Sequence, residues 1–414
     1  MTLLEASARL GGHAQTVSVD FRGSEVPVDL GGQLFGPRSH PRFMRLLEVL
    51  GLYDPALPDS GGCITRDMGT TLLDHGGARP RFVSPMFGAG NRRLWPLFAP
   101  WNAPGQLAFT ALALAGRRFE RGGDWAITLE DWLQRVPGLA AGPREHLLLP
   151  WLSAMTGCSL DEARALSARA AIAVAVRGLP NRLLAPYSWS TARRGLGSII
   201  DALVAACTTL NVRLDARVVR VDAASAAHTA SIHTADGRAF PAEHVIFAAP
   251  PYALEPILAA SPRGQQPGKL MADFPTFRSR LVIHTDPAYV HPDRRMWSAY
   301  NATTFRGQCE GSIWYGAIRD RLPDGSTLDI FKSWASARSR EPSDPLFEAE
   351  YRHPLQTPAF VAAQARIEAL QGQHGLWFAG SWVRDVDLQE SALHSAMRVV
   401  SGFAPQSANL ARLG

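Results

Sequence analysis

An apolar strand that ends in an acid, with two adjacent glycines soon after it, constrains this chain more than any other stretch. Thr2, Leu3 and Leu4 are followed by Glu5, and Arg9 precedes Gly11-Gly12. A carboxylate at the C-terminal tip of a parallel strand can accept hydrogen bonds from both hydroxyls of a ribose, as the second strand of a dinucleotide-binding βαβ unit does. Adjacent glycines let a backbone approach a phosphate or ribityl chain closely. A surface glutamate after a strand explains the same residues, so this segment alone leaves both readings open.

The rest of the chain reads as strands and helices in alternation. Thr16–Asp20 and Val26–Val28 alternate around Arg22-Gly23-Ser24, which predicts a hairpin. Phe43–Leu50 has helical spacing and stops at Gly51. From about 60 to 190 helical patterns dominate, with Thr128 and Ser159 as hydroxyl caps and Glu162 completing a capping box. Strand patterns return after Gly195. Ile199–Leu210 reads as a helix, and Val212–Leu214, Val218–Asp222 and Ser231–Thr234 as strands. Val245–Ala249, Leu281–His284, Ser312–Tyr315, Leu328–Phe331 and Leu376–Ala379 also read as strands. Ala359–Leu370 and Ser391–Val400 read as helices.

Composition bounds the function. The 414 residues are 46% hydrophobic and 19% charged, enough to bury two or three cores. The net charge of +5 is scattered, which gives nucleic-acid binding little support. It leaves a peripheral contact with an anionic membrane face open. Cys63, Cys158, Cys207 and Cys309 form no C-x-x-C pair and read as free thiols of a reducing, cytoplasmic compartment. The first residues read as a strand rather than a signal peptide, and no run of about 18 apolar residues offers a membrane span. The histidines lack metal-ligand spacing. The tryptophans Trp95, Trp101, Trp125, Trp132, Trp151 and Trp189 read as helical core, or as the lining of an apolar channel.

Later motifs join the first. Val28-Asp29-Leu30-Gly31-Gly32-Gln33 precedes Gly36-Pro37 and a helix. Leu376-Trp377-Phe378-Ala379-Gly380-Ser381 precedes Leu388-Gln389-Glu390-Ser391 at the start of the last helix. In order and spacing, from Met1 to about Pro405, these segments resemble the flavin amine oxidase superfamily. His13, His284-Thr285-Asp286, Arg294–Ser298, Tyr351–Pro354 and Ala363-Gln364 are similar to a bacterial group of predicted NAD/FAD-binding proteins within it. That group often sits beside lipid-modifying methyltransferases, so by analogy the resemblance implies an apolar, fatty-acyl substrate.

The resemblance implies an α/β fold. A Rossmann-like FAD-binding domain would be assembled from 1–58, 192–262 and 372–414, without its first βα unit. A mixed α+β substrate domain would come from 59–191 and 263–371. It implies FAD as cofactor. Glu5 would bind the adenosine ribose, and Arg9, Gly11 and Gly12 would lie along the pyrophosphate and ribityl region. Gly31, Gly32 and Gln33 would pass near the isoalloxazine, and Val218 would bracket the adenine. Gly380 and Ser381 would meet the phosphate–ribityl chain. Gln389 and Glu390 would present the last helix's N-terminus to the flavin.

The implied activity is hydride removal from an apolar substrate. The alternatives are an amine or amino-acid oxidase and a relative that binds no FAD. Full members begin with a strand and G-x-G-x-x-G about 30 residues ahead of Glu5. A start placed too late is therefore expected, and the chain alone is expected to be poorly soluble or free of FAD. By spacing, neither Lys269 nor Lys332 falls at the superfamily's lysine position. Ser279 lies near that position, and Leu388 stands where one aromatic ring is usual.

Overall fold

Residues 1–88, 90–182, 184–224, 228–261, 264–338 and 340–414 are described by a computed structural model. The chain opens with β1 (Thr2–Leu4), the hairpin β2 (Thr16–Phe21) and β3 (Ser24–Asp29), and α1 (Pro41–Val49). Arg22 and Gly23, both at positive φ, make the tight turn that lets β2 and β3 pair without splaying. Next come β4 (Cys63–Asp67), β5 (Thr70–Asp74) and β6 (Phe82–Val83). A helical block follows: α2 (Ala103–Gly122), α3 (Leu129–Gln134), α4 (Leu149–Thr156), α5 (Leu160–Ala165) and α6 (Ala168–Val176).

Strands return with β7 (Ser188–Ala192). Then come α7 (Gly197–Ala206), β8 (Asn211–Arg213), β9 (Val218–Asp222), β10 (Ala230–Thr234), β11 (Ala239–Ala242) and β12 (Val245–Phe247). After α8 (Pro251–Ala259) lie β13 (Thr276–His284), β14 (Tyr300–Phe305), β15 (Gln308–Trp314), β16 (Phe331–Trp334) and β17 (Pro345–Pro354). The chain then adds α9 (Pro358–Glu368), β18 (Leu376–Phe378) and α10 (Gln389–Phe403).

Two layers position the site. Among the described residues, a seven-stranded sheet runs β17-β13-β16-β15-β14-β5-β6. The helical block packs on it through Leu72, Phe82, Trp132, Leu148, Leu152 and Phe277. The parallel part is in two pieces: β1 pairs with β8, and β12 pairs with β18. Among the described residues neither β1 nor β12 has a strand on its other edge, and both line one cavity. A second core, with Val221, Phe247, Leu258, Phe360, Phe378 and Trp382, lies behind the β12–β18 pair. Arg177, at the end of α6, ties the block to the approach to α10. Its guanidinium pairs with Glu120 of α2 at 2.8 Å and makes two 2.8 Å bonds to Asp385.

The α/β class and the discontinuous parallel part agree with the sequence reading. The domain boundary expected between 262 and 263 lies outside the described residues. Some segments differ. The stretch expected to be mostly helical is so from 103 to 176, but β4, β5, β6 and β7 flank it. These strands are too short for period two to stand out from helical spacing. The helix expected to reach Leu210 ends at Ala206, where Leu210 N–H turns back to Cys207. The strand expected at Leu328–Phe331 begins at Phe331, because Asp329 is held by Arg294 and by the Trp314 indole.

Candidate functional site

The site begins where β3 leaves its hairpin. Asp29, fully buried, accepts hydrogen bonds from Thr16 Oγ1 at 2.6 Å and Leu196 N–H at 2.7 Å, and pairs with buried Arg319 at 3.3 Å. Tyr315 OH accepts from Asp29 N–H at 3.0 Å and donates to Gln33 Oε1 at 2.9 Å. Lys332 Nζ, from β16, donates to Gly31 O at 2.7 Å and to Gln33 Oε1 at 2.8 Å. A Cβ on Gly31 would stand 2.0 Å from His13 O, so only glycine lets this loop press against the Gly11–His13 turn. From the far end of the chain, Gln389 Nε2 donates to Gly32 O, while its Oε1 faces His40 Nε2 at 3.2 Å.

Ten of the twelve residues singled out by sequence line a single cavity of about 2220 Å³. These are Glu5, Gly11, Gly12, Gly31, Gly32, Gln33, Val218, Gly380, Ser381 and Gln389. Glu5 stands at the tip of β1, its carboxylate accepting from Ser7 N–H and Ser7 Oγ at 2.8 Å each. Arg9 is not on the wall. It clamps the glycine turn from outside through Gly12 O at 2.9 Å and Gln15 Oε1 at 2.6 Å. The Glu390 side chain also turns away, accepting from Arg42 N–H at 2.9 Å and Phe43 N–H at 3.0 Å in the first turn of α1. The start of α10 does face the cavity through Leu388 and Gln389, and Leu388 supplies no side-chain cap. Its leading amides are therefore available to an anionic group.

Several wall residues stand outside the twelve singled out for the cofactor. Lys332, which the sequence reading set apart from the superfamily's lysine position, lies on the wall. It arrives from a strand beside β13, where Ser279 lies, and lines the cavity with it. Burial pushes its ammonium down to about 7. His13, Tyr351 and His353 form a cluster, with His13 ring centroids 4.9 Å from Tyr351 and 5.5 Å from His353. Burial pushes the His353 imidazole down to about 4 and lowers His13. Asp387 nearby is pushed up by burial, against a hydrogen bond from Ser381. The sequence named His13 and Tyr351–Pro354 only for the likeness to the bacterial group, and the fold brings them to the wall.

A second branch of the cavity runs into the helical block. Phe82, Phe109, Leu112, Trp151, Met155 and Val174 line it without a charged side chain. The hydroxyls of Ser279 and Tyr300 and Gln33 Nε2 are buried with no partner among the described residues, and all three residues line the cavity. Buried polar atoms are nearly always bonded, so Gln33 Nε2, on the residue that Lys332 holds, offers a donor to a bound group. A drug-sized ligand takes about 300–1,000 Å³. Even allowing for the slot between β1 and β12, the space admits a cofactor together with a substrate. The glycine cradle, the uncapped helix end and the orphaned donor fit an extended cofactor with an electron-rich ring.

The pattern of the family described as flavin containing amine oxidoreductase matches residues 1–280. No curated protein matches the chain. Among solved structures, the CLA-producing fatty acid isomerase from P. acnes aligns with a TM-score of 0.64 at 12% identity, over 97% of this chain and 92% of that one. Cyclohexylamine oxidase from Brevibacterium oxydans IH-35A aligns at 0.61 and 15%, over 97% and 92%. Wild-type putrescine oxidase bound to putrescine aligns at 0.61 and 13%, again over 97% and 92%. At these identities the solved structures bear on the fold alone.

Proposed function

This chain belongs to the flavin containing amine oxidoreductase family of FAD-dependent oxidoreductases, and from that premise we propose that it takes a hydride from an apolar substrate held in the helical branch. The observation that carries the reading is the corner where the uncapped start of α10, the Gly31–Gln33 loop and buried Lys332 meet on one wall. FAD bound along the cavity would supply the two-electron acceptor.

The chain's own residues supply the rest. Glu5 offers its carboxylate to ribose hydroxyls, and the Gly11–Gly12 and Gly380–Ser381 turns give the backbone close approach. The amides and positive end of α10 would stabilise negative charge on a group bound against them. An ammonium has three donors, and Lys332 commits two of them to Gly31 and Gln33. With its proton affinity near neutrality, Nζ can hold or release a proton beside the reacting carbon. The apolar branch excludes water from that carbon.

Amine oxidation is the second reading, and the family description and two of the solved relatives favour it. A neutral lysine amine beside the substrate suits proton removal from an ammonium-bearing substrate, and the uncharged branch suits an apolar body. The test is anaerobic bleaching of the visible flavin band by two panels, apolar amines and long-chain fatty acids. Bleaching by fatty acids alone supports the apolar-acyl reading, and bleaching by amines alone supports the amine reading. A purified chain that neither carries flavin nor quenches added FAD fluorescence sinks both and leaves a relative that binds no FAD.

A further inference from the structure

Helix α2 has two faces of different character. Inward, Gly105, Ala108, Leu112 and Gly116 are buried, and Phe109, Leu112 and Ala113 reach the cavity wall. Outward, Leu107 and Leu114 stand 72% and 69% exposed on one stripe, two turns apart. The turn before the helix is pinned to it, since Asn102 Nδ2 and Gln106 Nε2 both donate to Pro96 O. That turn carries Phe98, 78% exposed, and exposed Trp95. Single exposed apolar residues are ordinary, but a contiguous group beside a buried apolar channel is not.

The stretch of sequence that carries this group is basic. Between Asp74 and Glu120 the sequence has no acidic residue. Arg92 and Arg118 are exposed there and Arg121 just after it, and none of the three makes an ion pair among the described residues. Arg117, by contrast, turns in to Pro180 O. Trp, Phe and Leu on one side with unpaired Arg at the rim is the composition of a helix that lies in a lipid–water interface.

We propose that the outer face of α2, together with the Trp95–Phe98 turn, seats the protein on an anionic lipid surface. Trp95, Phe98, Leu107 and Leu114 enter the acyl boundary, and Arg92, Arg118 and Arg121 meet the phosphates. The same helix walls the apolar branch, so seating places that wall against the membrane. This inference stands whether or not the chain carries flavin.

The experiment is flotation of the full chain with vesicles of phosphatidylcholine alone and with phosphatidylglycerol added. Flotation is expected with the anionic vesicles and should weaken as salt is raised. The combined variant Phe98→Ser, Leu107→Gln, Leu114→Gln should lower it about tenfold. Arg118→Glu with Arg121→Glu should abolish the preference for phosphatidylglycerol. These positions are exposed, so the variants should melt with the parent, and the second variant tests the proposal even if the first does not fold. Failure of the parent to float, or equal flotation of the variants, overturns the proposal. So does self-association without flotation that the same variants remove, which would assign the face to a protein contact.

Discussion

Lys332 is buried on the cavity wall, and under the proposed function it is the group that holds or releases the proton. Lys332 lies well below the ordinary lysine value, at about 7 against 10.5, chiefly because burial disfavours the ammonium. The sign follows. Between those two values the unfolded chain keeps a proton that the folded chain has lost, so raising the pH across that window favours the fold, and the burial penalty is full below it. The rate of flavin reduction should rise with pH through about 7, and Lys332→Met should flatten that limb. An unchanged limb in the variant would remove Lys332 from the proton path. Asp29 is a buried anchor. Asp29→Ala leaves Arg319 buried and unpaired and should cost about 3–5 kcal/mol in denaturant unfolding. At this scale the sequence singled out Glu5, Gly11–Gly12, Gly31–Gln33 and Gly380, and the fold brings them to one cavity. It set Lys332 apart from the superfamily's lysine position and gave Tyr315 no role, because the partners of both lie hundreds of positions away.

At the scale of elements, caps and turns were the readable features. The Thr128 cap and the Ser159–Glu162 capping box both form as the residue types require. The role of Glu390 could not be read this way. Its carboxylate serves the first turn of α1, some 350 residues earlier in the chain. Glu390→Ala should therefore destabilise the fold by about 1–3 kcal/mol, while leaving any flavin spectrum in place. A changed spectrum with unchanged stability would contradict this assignment. Strands of two to five residues, such as β6 and β4, escaped notice because so short an alternation is indistinguishable from one helical turn. β5 reads clearly only once β14 is beside it in parallel register.

For the whole molecule, the order of four distant motifs was enough to give the architecture, because one cavity has to be walled by all of them. The split in the parallel sheet has a measurable outcome. Amides of β1 and β12 have a partner strand on one edge, whereas β13, β15 and β16 are flanked on both sides. Hydrogen exchange should be fast in the first pair and approach the global unfolding limit in the seven-stranded sheet. Equal protection in both would mean that the slot is closed in solution. The Arg177 grip has a mechanical corollary. One guanidinium, largely shielded from water, holds Glu120 on the outer helix and Asp385 just ahead of α10. A tilt of that helix must either carry Asp385 with it or break one of these ion pairs, so a single guanidinium ties the protein's outer wall to the cavity-facing start of α10.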